Sequence, residues 1–234
     1  MDFYTSWEES KLKGLDDSHY IRSFLSATPD SLSPLVSGEV NQVEMAYHIL
    51  SLIPIEHFFA VLKSVEIERQ IQPQDVPCFS SFENGAARLN ELLEFETDGL
   101  SFPDAGYQLI NATSEGARTK YGENHSKLAS MMSLVSITYH HRALIKPTSF
   151  GSYLTRFEMA DKKSALQKLL LRDLCVKTIV RAALNGQVRY RDAVSNLSTS
   201  TAYRRRTNVR FLIEYVLGGT ECEDALSRID WECN

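Results

Sequence analysis

One stretch, residues 197–217, constrains the fold of this chain more than any other. Its sequence is Leu-Ser-Thr-Ser-Thr-Ala-Tyr-Arg-Arg-Arg-Thr-Asn-Val-Arg-Phe-Leu-Ile-Glu-Tyr-Val-Leu. Hydroxyl residues that can cap a helix come first, four arginines follow, and apolar residues then recur at intervals of three and four. The apolar stripe consists of Val209, Leu212, Ile213 and Val216. The pattern predicts one helix over residues 200–217, with a cationic front end and a core-facing rear half.

The segments before this helix complete a helix-turn-helix. Apolar periodicity predicts a long helix over residues 164–184, a short helix over residues 190–196 and a turn over residues 197–199. This spacing is typical of DNA-binding helix-turn-helix motifs, in which the last helix enters the major groove. We therefore predict a helix-turn-helix, winged-helix-like domain over residues 161–219, followed by an acidic tail over residues 220–234.

Arginine dominates the front of the predicted recognition helix. It makes bidentate contacts with phosphate groups and with guanine, whereas a helix surface that only faces water more often carries lysine and glutamate. Hydroxyl and N–H groups in the first turn can also hold a backbone phosphate. The candidate DNA-binding residues are Arg189, Arg191, Ser200, Thr201, Arg204, Arg205, Arg206 and Arg210. Alternatively, these arginines pair with acidic residues of the same molecule.

Charge is divided unevenly along the chain. Residues 1–117 hold 6 Lys and Arg against 19 Asp and Glu, residues 118–217 hold 18 against 6, and residues 218–234 hold 1 against 5. The net charge of −5 therefore hides an acidic first half and a basic second half. Such asymmetry favours double-stranded DNA as the partner of the basic half and a protein as the partner of the acidic half. Alternatively, the two halves pack together and their charges cancel.

A first domain is predicted over residues 40–122, after an irregular arm over residues 1–39 that carries one short helix near residues 18–25. Helical periodicity begins at residue 40. Two further helices are predicted over residues 55–65 and 80–93, each with an apolar stripe at helical spacing. These three helices form the body of the first domain.

A change of period from about 3.6 to two follows the third of these helices. Alternation over residues 93–111, with turn residues at 98–99 and 103–106, predicts a small hairpin. Three helices followed by a hairpin is the order of a winged helix. Residues 123–160 are helical again in their pattern and are predicted to be a connector. The fold class is therefore mainly α with small β wings, arranged as tandem winged-helix-like domains joined by a helical connector.

The end of the predicted hairpin carries the residues of a family resemblance. In some winged-helix proteins, a Leu-x-x-Thr-x-x-Gly turn follows the wing. The sequence of residues 107–116 is Tyr-Gln-Leu-Ile-Asn-Ala-Thr-Ser-Glu-Gly. It keeps the Thr and Gly of that turn, but its Leu lies one residue further from the Thr. The chain resembles tandem winged-helix and helix-turn-helix proteins of prokaryotic restriction, phage-defence and chromosome-structuring complexes. The resemblance implies a non-enzymatic, DNA-binding accessory or regulatory subunit. The alternative that it implies is a scaffold subunit of an ATPase or nuclease complex, with little DNA binding of its own.

Catalytic and metal-binding patterns are weak in this chain. Glu9 and Lys11 have the spacing found in many nucleases, but no strand accompanies them to complete a metal site. His125, His140 and His141 lack the cysteine or carboxylate cluster of a metal centre. The sequence also lacks a Gly-rich phosphate loop and the nucleophile motif of hydrolases. We predict no enzymatic activity, no cofactor and no bound metal.

Cysteine spacing and hydropathy predict the compartment. The four cysteines lie far apart and form no Cys-x-x-Cys pair, so we expect reduced thiols rather than a disulfide framework or a zinc ribbon. No apolar run reaches the roughly 18 to 20 residues of a membrane span, and the amino terminus lacks the apolar segment of a secretory signal. We therefore expect a cytoplasmic protein without membrane contact.

Overall fold

The computed structural model describes residues 17–26, 48–67, 69–93, 98–110, 114–139, 141–155 and 159–233, and these segments are mainly helical. The α-helices are α1 (Asp17–Ser26), α2 (Ile55–Ser64), α3 (Leu89–Leu93), α4 (Phe102–Leu109), α5 (Glu115–Met131), α6 (Ser149–Leu154), α7 (Met159–Leu170), α8 (Leu174–Asn185), α9 (Tyr190–Ala193) and α10 (Thr199–Leu217). The strands are β1 (Val135–Tyr139), β2 (Ala143–Pro147), β3 (Val188–Arg189) and β4 (Ile229–Asp230). Short π-helical turns lie at His48–Leu52 and Phe82–Ala86, and 3₁₀ turns at Pro73–Asp75 and Glu223–Arg228. Among these helices, none combines the length and the apolar character needed to cross a bilayer.

Helices α1 and α2 lie where the sequence periodicity predicts them. Helix α2 follows Pro54, which is a permitted start, and it buries Phe58 and Phe59. The predicted third helix is present as a π-helical turn followed by α3. Ser81 caps that turn, because its Oγ accepts a hydrogen bond from the Asn84 backbone N–H at 3.3 Å. The helix predicted to begin at residue 40 and most of the predicted arm lie outside the described residues.

The first predicted wing is wrong, because its second half is helix α4. Ser101 caps this helix, since its Oγ accepts a hydrogen bond from the Asp104 backbone N–H at 3.4 Å. Pro103 occupies the first turn, where a missing N–H costs no helical hydrogen bond. Residues that were interpreted as a turn therefore start a helix. Positions 94–97 of the predicted hairpin, and positions 111–113 within the resemblance to winged-helix proteins, lie outside the described residues.

Helices α4 and α5 pack with their backbones in close contact at two glycines. A Cβ atom on Gly122 would lie 1.9 Å from the Phe102 carbonyl oxygen. A Cβ atom on Gly106 would lie 1.9 Å from the Arg118 carbonyl oxygen. Both distances are far below van der Waals contact, so only glycine fits at these two positions.

The predicted helical connector is wrong in its middle part, because residues 135–147 form a β-hairpin. Strands β1 and β2 pair antiparallel, with Val135 opposite Pro147 and Ile137 opposite Ile145. The side chains of Val135 and Ile145 are buried, and β-branched residues favour such half-buried extended positions. Helix α5 before the hairpin and α6 after it agree with the predicted helical character.

The single long helix predicted over residues 164–184 is wrong, because Asp173 divides it into α7 and α8. The Asp173 Oδ1 atom accepts a hydrogen bond from the Val176 backbone N–H at 2.8 Å and so caps α8. This carboxyl group is buried in the protein interior. Burial raises the pKa of Asp173 to about 7.

The predicted C-terminal elements are present in order. Helices α8, α9 and α10 follow one another, and α10 begins one residue before the predicted start and ends where predicted. Strand β3 pairs in parallel with β4, which follows α10. Trp231 of the tail packs against Tyr190, and the centroids of the two rings lie 5.6 Å apart. The winged-helix topology itself stays a prediction.

One apolar core includes residues from both the acidic and the basic half of the chain. Helix α2 packs against α7 and α8, and the Phe24 ring of α1 lies 5.8 Å from the Phe58 ring. The buried Lys168 Nζ donates a hydrogen bond to the Leu50 carbonyl oxygen at 2.7 Å. The predicted boundary between residues 160 and 161 lies within α7. The division into two tandem domains stays a prediction.

Candidate nucleic-acid interface

Helix α10 begins with a hydroxyl cap at Ser198. The Ser198 Oγ accepts a hydrogen bond from the Thr201 backbone N–H at 3.3 Å and donates one to the Thr201 Oγ1 at 2.9 Å. The Ser200 Oγ lies 3.2 Å from the Ser198 Oγ, and the Ser200 side chain is exposed. The Thr201 N–H is therefore already bonded within the helix, and of the two candidate hydroxyl residues Ser200 and Thr201, Ser200 is the exposed one.

Helix α10 has one buried face and one exposed face. The predicted apolar stripe is buried in the core. On the opposite face a row of side chains is exposed, and we call this row the outward stripe. It consists of Ser200, Tyr203, Arg204, Thr207, Arg210, Phe211 and Glu214. Because a helix turns by about 100° per residue, these positions form one continuous line.

Of the three consecutive arginines, Arg204 lies on the outward stripe, whereas Arg205 and Arg206 are half-buried. Three adjacent side chains span most of a helix circumference, so they cannot all face outward. Within the part of the chain that the structure describes, Arg204 has no carboxylate partner. Its guanidinium group is therefore available to a phosphate group or a base.

Arg206, on one flank of the outward stripe, and Arg210, at the edge of the stripe, both lie beside Trp231. The Arg206 Nη1 donates a hydrogen bond to the Trp231 carbonyl oxygen at 3.2 Å, and its guanidinium carbon lies 4.9 Å from the Tyr203 ring centroid. The Arg210 Nε pairs with the Glu214 carboxylate at 2.7 Å. These contacts fix the orientation of both guanidinium groups, and Glu214 offsets part of the Arg210 charge.

Arg189 and Arg191 contact their immediate surroundings. The Arg189 Nε lies 3.2 Å from the Asp230 carboxylate, across the pairing of β3 with β4. The Arg191 Nη1 donates hydrogen bonds to the carbonyl oxygens of Val194 at 3.1 Å and of Ser195 at 3.5 Å. Arg191 thereby closes the end of α9, so its first role is to hold the turn before α10.

Arg205 is half-buried on the side of α10 that faces the core, and it lines a surface cleft with residues of α5. Its Nη1 atom is buried and has no hydrogen-bond acceptor among the residues that the structure describes. Burial lowers the pKa of Arg205, because the charged form loses hydration without gaining a counter-ion.

The alternative that the candidate arginines pair with the acidic half of the chain can be compared with these contacts. The carboxylates that pair with them, Asp230 and Glu214, both come from the C-terminal part of the chain. In the segments that the structure describes, no carboxylate of residues 1–117 forms an ion pair with a candidate arginine. Lys162 and Glu91 do form an ion pair between the two halves. Neither residue of that pair belongs to the outward stripe.

Two aromatic residues of this surface were missed from the sequence. Tyr203 is 61% exposed and packs under Arg206, and Trp231 lies beside Arg206 and Arg210. Aromatic faces stack on nucleobases and on arginine, so they belong to the same candidate surface. The position of Tyr203, directly before the three arginines, is the signal that could have identified it.

The histidines do not form a metal site in the described segments. His125 is buried, its Nδ1 lies 2.8 Å from the Tyr121 carbonyl oxygen, and its ring stacks on the Tyr121 ring at 4.0 Å. Burial lowers the pKa of His125. His141 is exposed, and His140 lies outside the described residues. Across those residues, no group of three His, Cys, Asp or Glu side chains is placed to bind a metal ion.

Comparisons with known proteins give no relative from which a role could be transferred. No protein-family model, curated protein or solved structure matches the chain. The functional argument therefore depends on the geometry of α10 and its surroundings.

Proposed function

We propose that the chain binds duplex DNA through the outward stripe of α10. The observation that carries this proposal is the exposure of Arg204, together with Ser200, Tyr203 and Thr207, along the N-terminal half of a helix whose other face is buried. The N-terminal half of a recognition helix is the part that meets base edges in the major groove. A guanidinium group, two hydroxyl groups and a tyrosine supply phosphate contacts and base contacts from one line.

In this proposal the chain is a non-enzymatic accessory or regulatory subunit. Residues 1–117 carry 13 more acidic than basic residues, which favours a protein as the partner of that half. The resemblance to winged-helix subunits of restriction and phage-defence systems supports a role in a prokaryotic DNA-defence complex. The partner protein would supply any chemistry performed on the bound DNA.

Replacing Arg204 by Ala is expected to weaken binding to a fluorescein-labelled, random-sequence duplex by about tenfold, because one charge-assisted contact is lost. The slope of log affinity against log salt concentration should also become shallower by about one, since one phosphate fewer is neutralised. Fluorescence anisotropy over a series of salt concentrations measures both quantities. Arg204 is exposed and without an ion pair in the described segments, so the variant should fold normally.

The matched control is Lys63→Ala, which removes one exposed cation from the end of α2. Its affinity and its salt slope should equal those of the unaltered protein. Equal affinities for the Arg204 variant and this control would contradict binding through the outward stripe. A protein that binds no duplex at low salt but co-purifies with an ATPase or nuclease subunit would favour the scaffold alternative instead.

A further inference from the structure

A cationic surface cleft of about 420 Å³ is lined by α5, by the segment of residues 73–78, by the β1–β2 hairpin and by Arg205 of α10. Its charged lining residues are Lys120 and Lys127 of α5 and Arg205 of α10. The lining contains no Asp or Glu side chain. Tyr139, which is 65% exposed, forms part of the wall on the hairpin side. The cleft therefore presents positive charge from two separate helices to one enclosed space.

The two lysines of the cleft are accessible and share a single carboxylate. The side chains of Lys120 and Lys127 are 68% and 50% exposed. Glu123, on the same helix, lies 3.2 Å from the Lys120 Nζ and 2.6 Å from the Lys127 Nζ. The hydrogen bond from Lys127 lowers the pKa of Glu123, so this carboxylate is charged at neutral pH. One negative charge against three positive charges leaves the cleft attractive to an anion.

Arg205 gives a second and independent indication of an anionic ligand. Its Nη1 atom is shielded from water and has no acceptor among the described residues. A buried guanidinium N–H without an acceptor costs free energy, because its hydration is lost and not replaced. The remaining guanidinium nitrogens of Arg205 are not buried and also have no acceptor among the described residues, so an oxygen of an anion bound in the cleft would supply one.

The position of the cleft relative to the outward stripe identifies the anion. Arg205 follows Arg204 directly, so its side chain leaves α10 about 100° around the helix axis from that of Arg204, toward the buried face of the helix. When a helix lies in the major groove, which is about 12 Å wide, a phosphate backbone runs along each side of it. Arg206 lies on one side of the stripe, beside Trp231, and the cleft lies on the other.

We propose that this cleft binds the phosphodiester backbone of the DNA strand that flanks α10. The inference rests on the proposed function, because it takes the orientation of the duplex from the outward stripe. Phosphate oxygens would accept hydrogen bonds from Lys120, Lys127 and the guanidinium nitrogens of Arg205 that are not buried. The hairpin would then lie along the DNA backbone in the manner of a wing.

The test compares four forms of the full chain for binding to the same random-sequence duplex by fluorescence anisotropy over a series of salt concentrations. The first variant carries Lys120→Gln and Lys127→Gln. We expect its affinity to fall roughly tenfold and its salt slope to become shallower by about two, since two phosphate contacts are lost. The control carries Lys63→Gln and Lys163→Gln, which remove the same charge from exposed positions outside the cleft.

The fourth form, Glu123→Gln, gives an effect of opposite sign. It removes the carboxylate that competes with phosphate for both lysines, so we expect duplex affinity to rise about threefold or more. A purely structural role of the Glu123 ion pairs predicts no such gain. Circular dichroism melts of all four forms verify that each one is folded.

The binding measurements on the four forms either support the cleft inference or overturn it. Weaker binding of the lysine variant than of its control, together with tighter binding of Glu123→Gln, supports it. If Arg204→Ala weakens binding but the lysine variant equals its control, the cleft inference is overturned and the proposed function stands. If the unaltered chain binds no duplex at low salt, both are overturned.

Discussion

Gly122→Ala is expected to destabilise the protein by about 3 kcal/mol, which lowers the thermal midpoint by roughly 6 °C or more. The added Cβ would lie 1.9 Å from the Phe102 carbonyl oxygen and 2.9 Å from the Gly106 nitrogen. These are backbone atoms of α4, so relief requires the two helices to move apart. Differential scanning calorimetry measures the change directly.

Gly116→Ala is the matched control for this prediction. Gly116 lies in the first turn of the same helix, and a Cβ atom there would meet nothing within 4 Å. Alanine is the better helix former by up to about 1 kcal/mol, so this variant should be as stable as the unaltered protein or more stable. Equal midpoints for the two variants would refute the close packing of α4 against α5.

Asp173→Asn is expected to change the pH dependence of stability. In the folded protein, burial raises the pKa of Asp173 to about 7, far above its value in the unfolded chain. Between about pH 4 and pH 7 the folded state keeps a proton that the unfolded state has lost, so this group's stabilisation is present at low pH and declines as pH rises. A difference of about 3 pKa units corresponds to roughly 4 kcal/mol at most.

Asparagine keeps an oxygen to cap α8 but cannot ionise, so the variant loses that pH-dependent contribution. The free-energy cost of burying the asparagine amide is independent of pH, because the amide does not ionise. Thermal midpoints measured at pH 5 and pH 8 should show the variant gaining several degrees relative to the unaltered protein as pH rises. The control, Asp161→Asn at an exposed position of α7, should show no such gain. If the thermal midpoints of Asp173→Asn and of the unaltered protein differ by the same amount at pH 5 and at pH 8, the raised pKa of Asp173 is contradicted.

Helix α10 could be predicted to within one residue because its local signals agree. A hydroxyl cap, an apolar stripe and a closing glycine pair specify the same helix without any information from distant residues. The side of the helix that faces the core follows from the stripe alone. The orientation of Arg204 toward solvent is a direct consequence.

The first wing was mispredicted because one set of residues fits two structures. Ser101, Pro103 and Asp104 are turn residues by composition, but the same spacing is that of a helix cap with proline in the first turn. The close packing of α4 against α5 at Gly106 and Gly122 favours the helical conformation, and this contact joins two segments that are separated in sequence. Sequence periodicity over a short window cannot detect such a contact.

The hairpin of β1 and β2 was missed for a related reason. The apolar run before residue 140 is short, and its spacing suits a helix as well as a strand. Pairing of Val135 with Pro147 and of Ile137 with Ile145 settles the conformation, and pairing partners are not visible in a local pattern.

The candidate surface was predicted in its residue types but not in its geometry. The arginines were identified, and the stripe predicts the outward side of the helix, yet only the fold shows that Arg206 bonds to Trp231 and that Arg205 lines the cleft. Lys120 and Lys127 lie about 80 residues away in the chain, so nothing in the local pattern joins them to Arg205.

Photocrosslinking tests the central claim most directly, because it locates the contact as well as detecting it. A duplex carrying 5-iodouracil is bound to the full chain at low salt, irradiated, digested and examined by mass spectrometry. The outward stripe predicts an adduct on the peptide that contains Tyr203, the exposed aromatic residue beside Arg204. Adducts confined to peptides outside α10 and its flanking cleft, at a concentration where the duplex is bound, would contradict the account.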